Sequence, residues 1–136
     1  MTDAATWQAI DSAKRMATTR PPTVWWRRSE GAAIGAVALI AYGTTGASWW
    51  QFAAFILVPD LAMVGYLAGP RAGALIYNLA HSYTLPVALS GAAMIAGFPM
   101  LLANALVWIA HISADRMLGY GFKLPEGFKH TDLGTL

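Results

Sequence analysis

The chain has 136 residues, enough for one domain, and 57% of them are hydrophobic while only 12% are charged, with a mean hydropathy of +0.47. A charged fraction about half that of an ordinary soluble chain is membrane-protein composition, and spanning helices of about 20 residues leave room for four. With no cysteine, disulfides, thiolate nucleophiles and thiolate metal sites are excluded. The nine Lys and Arg residues are dispersed near predicted helix ends, so the net charge of +2 does not amount to a nucleic-acid surface.

Taken in order, residues 1–30 read as an N-terminal cytoplasmic and interfacial segment. Trp7, Ile10, Ala13 and Ala17 recur at roughly helical spacing with Asp11 and Arg15 as an i,i+4 pair, which predicts a short amphipathic helix on the membrane surface, ended by Arg20-Pro21-Pro22, with a disordered tail as the alternative because the apolar face is small. No apolar run there leads to a small-residue cleavage site, so a secretory signal is not expected. Trp25-Trp26-Arg27-Arg28 reads as an interfacial anchor, with the guanidiniums toward anionic headgroups. A first span is expected from about residue 31 to 47, where Gly31 and Gly35 allow close helix contact. Ser48-Trp49-Trp50-Gln51 marks the opposite interface. The second span, about 50–68, is interrupted by Pro59-Asp60, and the third, about 72–97, carries Tyr77, Asn78, His81, Ser82 and Tyr83 and is expected to kink at Pro86. Gly69-Pro70-Arg71 and Gly97-Phe98-Pro99 are turns. The fourth span runs from about 100 to 118.

Residues 119–136 are punctuated by Gly and Pro and predict an irregular cytoplasmic tail, with folding over the bundle mouth as one arrangement open to it. All nine Lys and Arg residues precede the first span, stand at Arg71, or begin at Arg116. By the positive-inside rule both termini face the cytoplasm, across a bacterial inner membrane. The predicted class is therefore all-α, an integral-membrane four-helix bundle over 31–118 with an N-terminal amphipathic segment and an irregular tail.

Inside this apolar frame, His111 and Asp115 stand four residues apart and share a helix face. Groups this costly in hydrocarbon point inward to partners. Counting about 1.5 Å of rise per residue, Asp60 lies about 12 Å from the cytoplasmic end of its helix, His81 about 14 Å, Asn78 about 9 Å, His111 about 10 Å and Asp115 about 4 Å. One cavity can therefore gather them. Two imidazoles and two carboxylates suit zinc, iron or manganese, with His81, His111, Asp115 and Asp60 as ligands, or with Asp60 as a catalytic base. Asn78, Tyr77 and Tyr66 are expected to orient the ligands or the substrate. A structural alternative pairs Asp60 with Arg116 and satisfies both histidines on backbone or tyrosine hydroxyls. Two further alternatives are an accessory subunit of a larger membrane complex, packed through the Gly/Ala-rich first span and the Trp belts, or a homo-oligomer, and a proton or small-solute pathway along Asp60, His81 and His111.

The stretches Pro59-Asp60 to Gly69-Pro70-Arg71, Tyr77-Asn78-Leu79-Ala80-His81-Ser82-Tyr83, Ala110-His111-Ile112-Ser113-Ala114-Asp115-Arg116 and Lys123-Leu124-Pro125-Glu126-Gly127-Phe128 resemble an uncharacterised bacterial family of short integral membrane proteins, the domain of unknown function family 4260. Pro59-Asp60, His81-Ser82 and His111 with Asp115 are also similar to features of the membrane-bound metal-dependent hydrolases. That resemblance implies a metal-dependent hydrolase of lipid or another amphiphile. Ala62-Met63 and Tyr77-Asn78 stand where that larger family places a second acidic residue and a histidine–arginine step.

Overall fold

The computed structural model describes residues 3, 5–8, 23–132, 134 and 135. The amphipathic helix expected over 6–19 lies mostly outside them, and only a helical turn at 5–8 is described. Helix α1 spans Thr23–Thr44. It begins earlier than the predicted span because nothing between Thr23 and Glu30 breaks a helix, and the Trp-Trp-Arg-Arg anchor is simply its first turns. Ser48 then caps α2 (Trp49–Phe55) by accepting the Trp50 N–H.

Around Pro59, which has no N–H to give, the helix tightens into a 3-10 helix over Val58–Ala68. Its 11 residues are long for a conformation that usually lasts three or four. The predicted third span is two helices rather than one kinked helix: α3 (Pro70–Ala80) and α4 (Thr84–Ala96). Pro86 cannot donate to the Ser82 carbonyl and its ring crowds that position, so the break falls at residues 81–83 instead of at the proline itself. His81 thereby becomes the C-cap of α3. Helix α5 spans Pro99–Leu118 and ends at Gly119, whose φ of 95° lets its N–H and that of Tyr120 reach back to the last carbonyls.

α5 is the central element, contacted by α1, α4, α2 and the 3-10 helix, while the 3-10 helix leans chiefly on α3. The approach of α1 is set by Gly31, where a Cβ would lie 2.8 Å from the Arg116 Cβ and 2.9 Å from the Met117 N and Ser113 O. Only glycine fits there, as the small-residue spacing predicts. Tyr42, Ala103 and Val107, backed by Phe52 and Ile56, form the core at one end of this pair; Ala38, Ile109 and Ala110 continue it.

The outer surface is apolar. Ile95, Leu67 and Ile40 are among many large hydrophobics left exposed, far more than a soluble monomer tolerates. Two continuous stretches, Trp49–Ala68 of 20 residues and Pro70–Ala96 of 27, are long and apolar enough to cross a membrane.

The tail is largely irregular, as expected, and carries one short hairpin. Strands β1 (His130–Thr131) and β2 (Gly134–Thr135) pair antiparallel, and Lys123 bridges to Thr131. Arg27 Nη1 donates to Asp132 at 2.6 Å and Arg28 Nε to the Met117 carbonyl at 2.8 Å, so the two arginines expected at lipid headgroups tie α1 to the tail and to the end of α5.

Candidate metal centre

Three elements deliver four side chains to one point. Asp60 comes from the first turn of the 3-10 helix, His81 from the end of α3, and His111 with Asp115 from successive turns of α5. The His81 Nε2 lies 3.2 Å from the His111 Nε2, 3.4 Å from the Asp60 Oδ1 and 3.5 Å from the Asp115 Oδ2. The His111 Nε2 lies 3.4 Å from Asp60 and 3.9 Å from Asp115. All four donor atoms fall within 4.8 Å of one another. A tetrahedral ion with ligand bonds of about 2.0–2.2 Å has ligand-to-ligand edges of about 3.3–3.6 Å. The residues fit such an ion, and the nitrogen–oxygen donor set suits zinc, iron or manganese.

The orientation of the rings agrees with that fit. His81 Nδ1 lies 2.9 Å from the Tyr77 carbonyl, which can only accept, so Nδ1 carries the proton and Nε2 presents its lone pair to the cluster. The Tyr77 ring stacks on His81 at 3.7 Å, and its hydroxyl donates to Asp115 Oδ2 at 3.1 Å. Tyr77 thus holds one member of the cluster through its backbone and another through its side chain. The Trp108 indole N–H, one turn before His111, donates to the Ala80 carbonyl at 2.7 Å and pins the end of α3 to α5.

Both imidazoles are buried, whereas the side chains of Asp60 and Asp115 keep 32% and 20% exposure, so the cluster opens on its carboxylate side. Among the described residues no Lys or Arg forms an ion pair with either carboxylate. Arg116, which the structural alternative pairs with Asp60, lies instead over the Phe122 ring at 4.2 Å. Two neighbouring carboxylates thus stand against two imidazoles with no Lys or Arg in direct contact among the described residues, an arrangement that a divalent cation suits.

Two of the expected orienting residues lie elsewhere. Asn78 spends its amide on the backbone of the tail, donating to the Lys123 carbonyl at 2.9 Å and accepting the Lys123 N–H at 2.7 Å. Tyr66 packs over Gly73 and against Phe128, and its buried hydroxyl has no hydrogen-bond partner among the described residues. Ser82 bonds Thr84 and Tyr83 bonds Ser113, both away from the four.

Sequence reasoning missed Lys123. It is 3% exposed, donates to the Phe128 carbonyl at 2.9 Å and lies 5.3 Å from the centre of the Tyr77 ring. Burial lowers its ammonium below the ordinary lysine value, against the opposing pull of the Asp115 carboxylate. A lone lysine between Phe122 and Leu124 is the only local hint that the tail folds inward.

Residues 24–136 match a family model described as a domain of unknown function (DUF4260). The chain belongs to this family. The DUF4260 match takes in all four cluster residues together with Tyr77, Asn78 and Lys123. No curated protein and no solved structure matches the chain. The chemistry therefore has to be read from the site.

Proposed function

We propose that this protein is a four-span membrane bundle of the bacterial inner membrane, with both termini in the cytoplasm, and that its cluster holds one divalent ion and hydrolyses a lipid or other amphiphile reached from the inner leaflet. The observation that carries the reading is the convergence of the donor atoms: the His81 Nε2, His111 Nε2 and Asp115 Oδ2 stand 3.2–3.9 Å apart, near the edges of a tetrahedral ligand shell, and the Asp60 Oδ1 lies 3.4 Å from each imidazole nitrogen, beside the position such a shell leaves open. The bilayer is the partner that the exposed apolar surface supports.

When bound, such an ion supplies Lewis acidity and a water acidified toward neutral pH. The chain's residues do the rest. His81, His111 and Asp115 hold the ion, with Tyr77 fixing the first and last of these. Asp60 is the more exposed carboxylate, and it is the one with room to exchange a proton with water or substrate while remaining at the edge of the shell. Gly31 and Gly35, two of the small residues of the first span, face α5 of the same chain.

Metal-loaded protein in lipid nanodiscs should hydrolyse at least one member of a panel of ester- and amide-linked amphiphiles. Turnover should cease on chelation and fall about 100-fold or more in Asp60→Asn, as expected for losing a general base. Turnover undiminished in chelated protein or in Asp60→Asn would sink the proposal.

A further inference from the structure

An apolar cavity of about 290 Å³ lies between the 3-10 helix, the end of α3 and the middle of α5. Val58, Pro59 and Ala62 form one wall, Ala80 the second, and Asn104 with Trp108 the third. On every element the wall leads into the cluster: Pro59 precedes Asp60, Ala80 precedes His81, and Trp108 stands one turn before His111. Along α5, Asn104 is about 10 Å from His111 at helical rise. The cavity is thus a slot lined by residues that adjoin the cluster residues along the chain.

The chemistry of the walls selects the occupant. Two of their polar groups are held by protein: the Trp108 N–H by the Ala80 carbonyl, and the Asn104 Oδ1 by Gln51 Nε2 at 2.7 Å. Pro59 has no N–H. The rest of the lining is mostly apolar, and a polar ligand there would lose most of its hydrogen bonds without replacement. At about 290 Å³ the slot is at the small end of ligand cavities, too narrow for a two-chain lipid to enter whole.

We infer that this slot seats a single alkyl chain of the substrate, whose polar head then lies at the carboxylate edge of the cluster. The inference rests on the hydrolase reading for the head group alone; the chain-binding slot is independent of it. Order along α5 gives the ligand its direction: slot at Asn104 and Trp108, centre at His111 and Asp115, then the tail with Lys123. Ala62 and Ala80 make the room, and larger side chains there fill it.

The test uses the full chain in nanodiscs and a fatty acid carrying a photoreactive diazirine at its chain terminus, with crosslinks mapped by peptide mass spectrometry and metal content measured on the same samples. Labelling should concentrate on residues 55–62 and 104–108 and compete with unlabelled fatty acid. In Ala62→Phe, and separately in the milder Ala80→Val, the competing affinity should fall about tenfold, the worth of about two buried methylenes, while metal content stays unchanged. Labelling spread evenly over the exposed surface, as annular lipid alone would give, overturns the inference, as does concentrated labelling that neither variant alters. Slot labelling that persists in metal-free His81→Ala upholds the slot; a wild type found to lack metal sinks only the hydrolase reading.

Discussion

On one side of α5, Ser113, Arg116 and Met117 meet α1 so closely that Gly31 has no space for a methyl group, whereas on the other His111 and Asp115, from the same turns, face an open edge with carboxylates partly exposed. The first contact is dry, made of backbone and small side chains, and gains its stability from close approach. The second is polar and leaves room for a further group. The difference teaches how a small bundle holds costly groups in place. Glycine contacts fix the depth and rotation of α5 against α1, so the opposite face presents its imidazole and carboxylate at a defined height, where Asp60 and His81 arrive from independent elements.

The contrast can be broken from either side. The largest effect should come from Gly31→Leu, which drives a side chain into the backbone at Ser113 and Met117 and is expected to cost about 3 kcal/mol, read as thermal unfolding in detergent. Gly35→Ala is the control: its Cβ meets the Ser113 Cβ at 3.1 Å and needs a shift of only a few tenths of an ångström, so it should cost about 1 kcal/mol or less. Equal losses in the two variants would mean that the close approach at Gly31 is not what sets the packing.

On the polar face, Tyr77→Phe removes the hydroxyl that positions Asp115 but keeps the carbonyl that holds His81. Metal affinity should fall about tenfold, the lower end for the loss of a ligand-orienting group, with no change in unfolding temperature. An unchanged affinity would show that Asp115 needs no such support.

The smallest effect concerns the tail. Because burial lowers the pKa of Lys123, the undocked tail binds more protons than the docked one between that lowered value and the ordinary lysine value of about 10.4. Docking should therefore strengthen as pH rises toward about 10, seen as slower proteolysis after Leu118, and Lys123→Met should flatten the dependence. Docking that weakens with rising pH would contradict the burial argument.

Much of the centre was legible because helical arithmetic is simple. The i,i+4 spacing of His111 and Asp115 and the count of turns to Asp60 and His81 place four groups at one depth, where the structure brings them together. Gly31 was legible for the same reason. What escaped were contacts made by chain reversals. Nothing periodic tells that Pro86 ends α3 early and turns His81 into a cap, or that Asn78 holds the backbone of a residue 45 positions later. How the tail is docked escaped because it depends on Arg27, Asn78 and a buried lysine, partners that no local pattern contains.

The central claim is that these four side chains hold a divalent ion, and the most direct measurement is the metal content of the purified protein beside His81→Ala and His111→Ala, each shown to be folded by an unchanged elution profile and helix content. The account predicts about one equivalent of zinc, iron or manganese in the wild type and essentially none in either variant. A folded wild type that takes up no metal on reloading, or variants that keep it, would contradict the account.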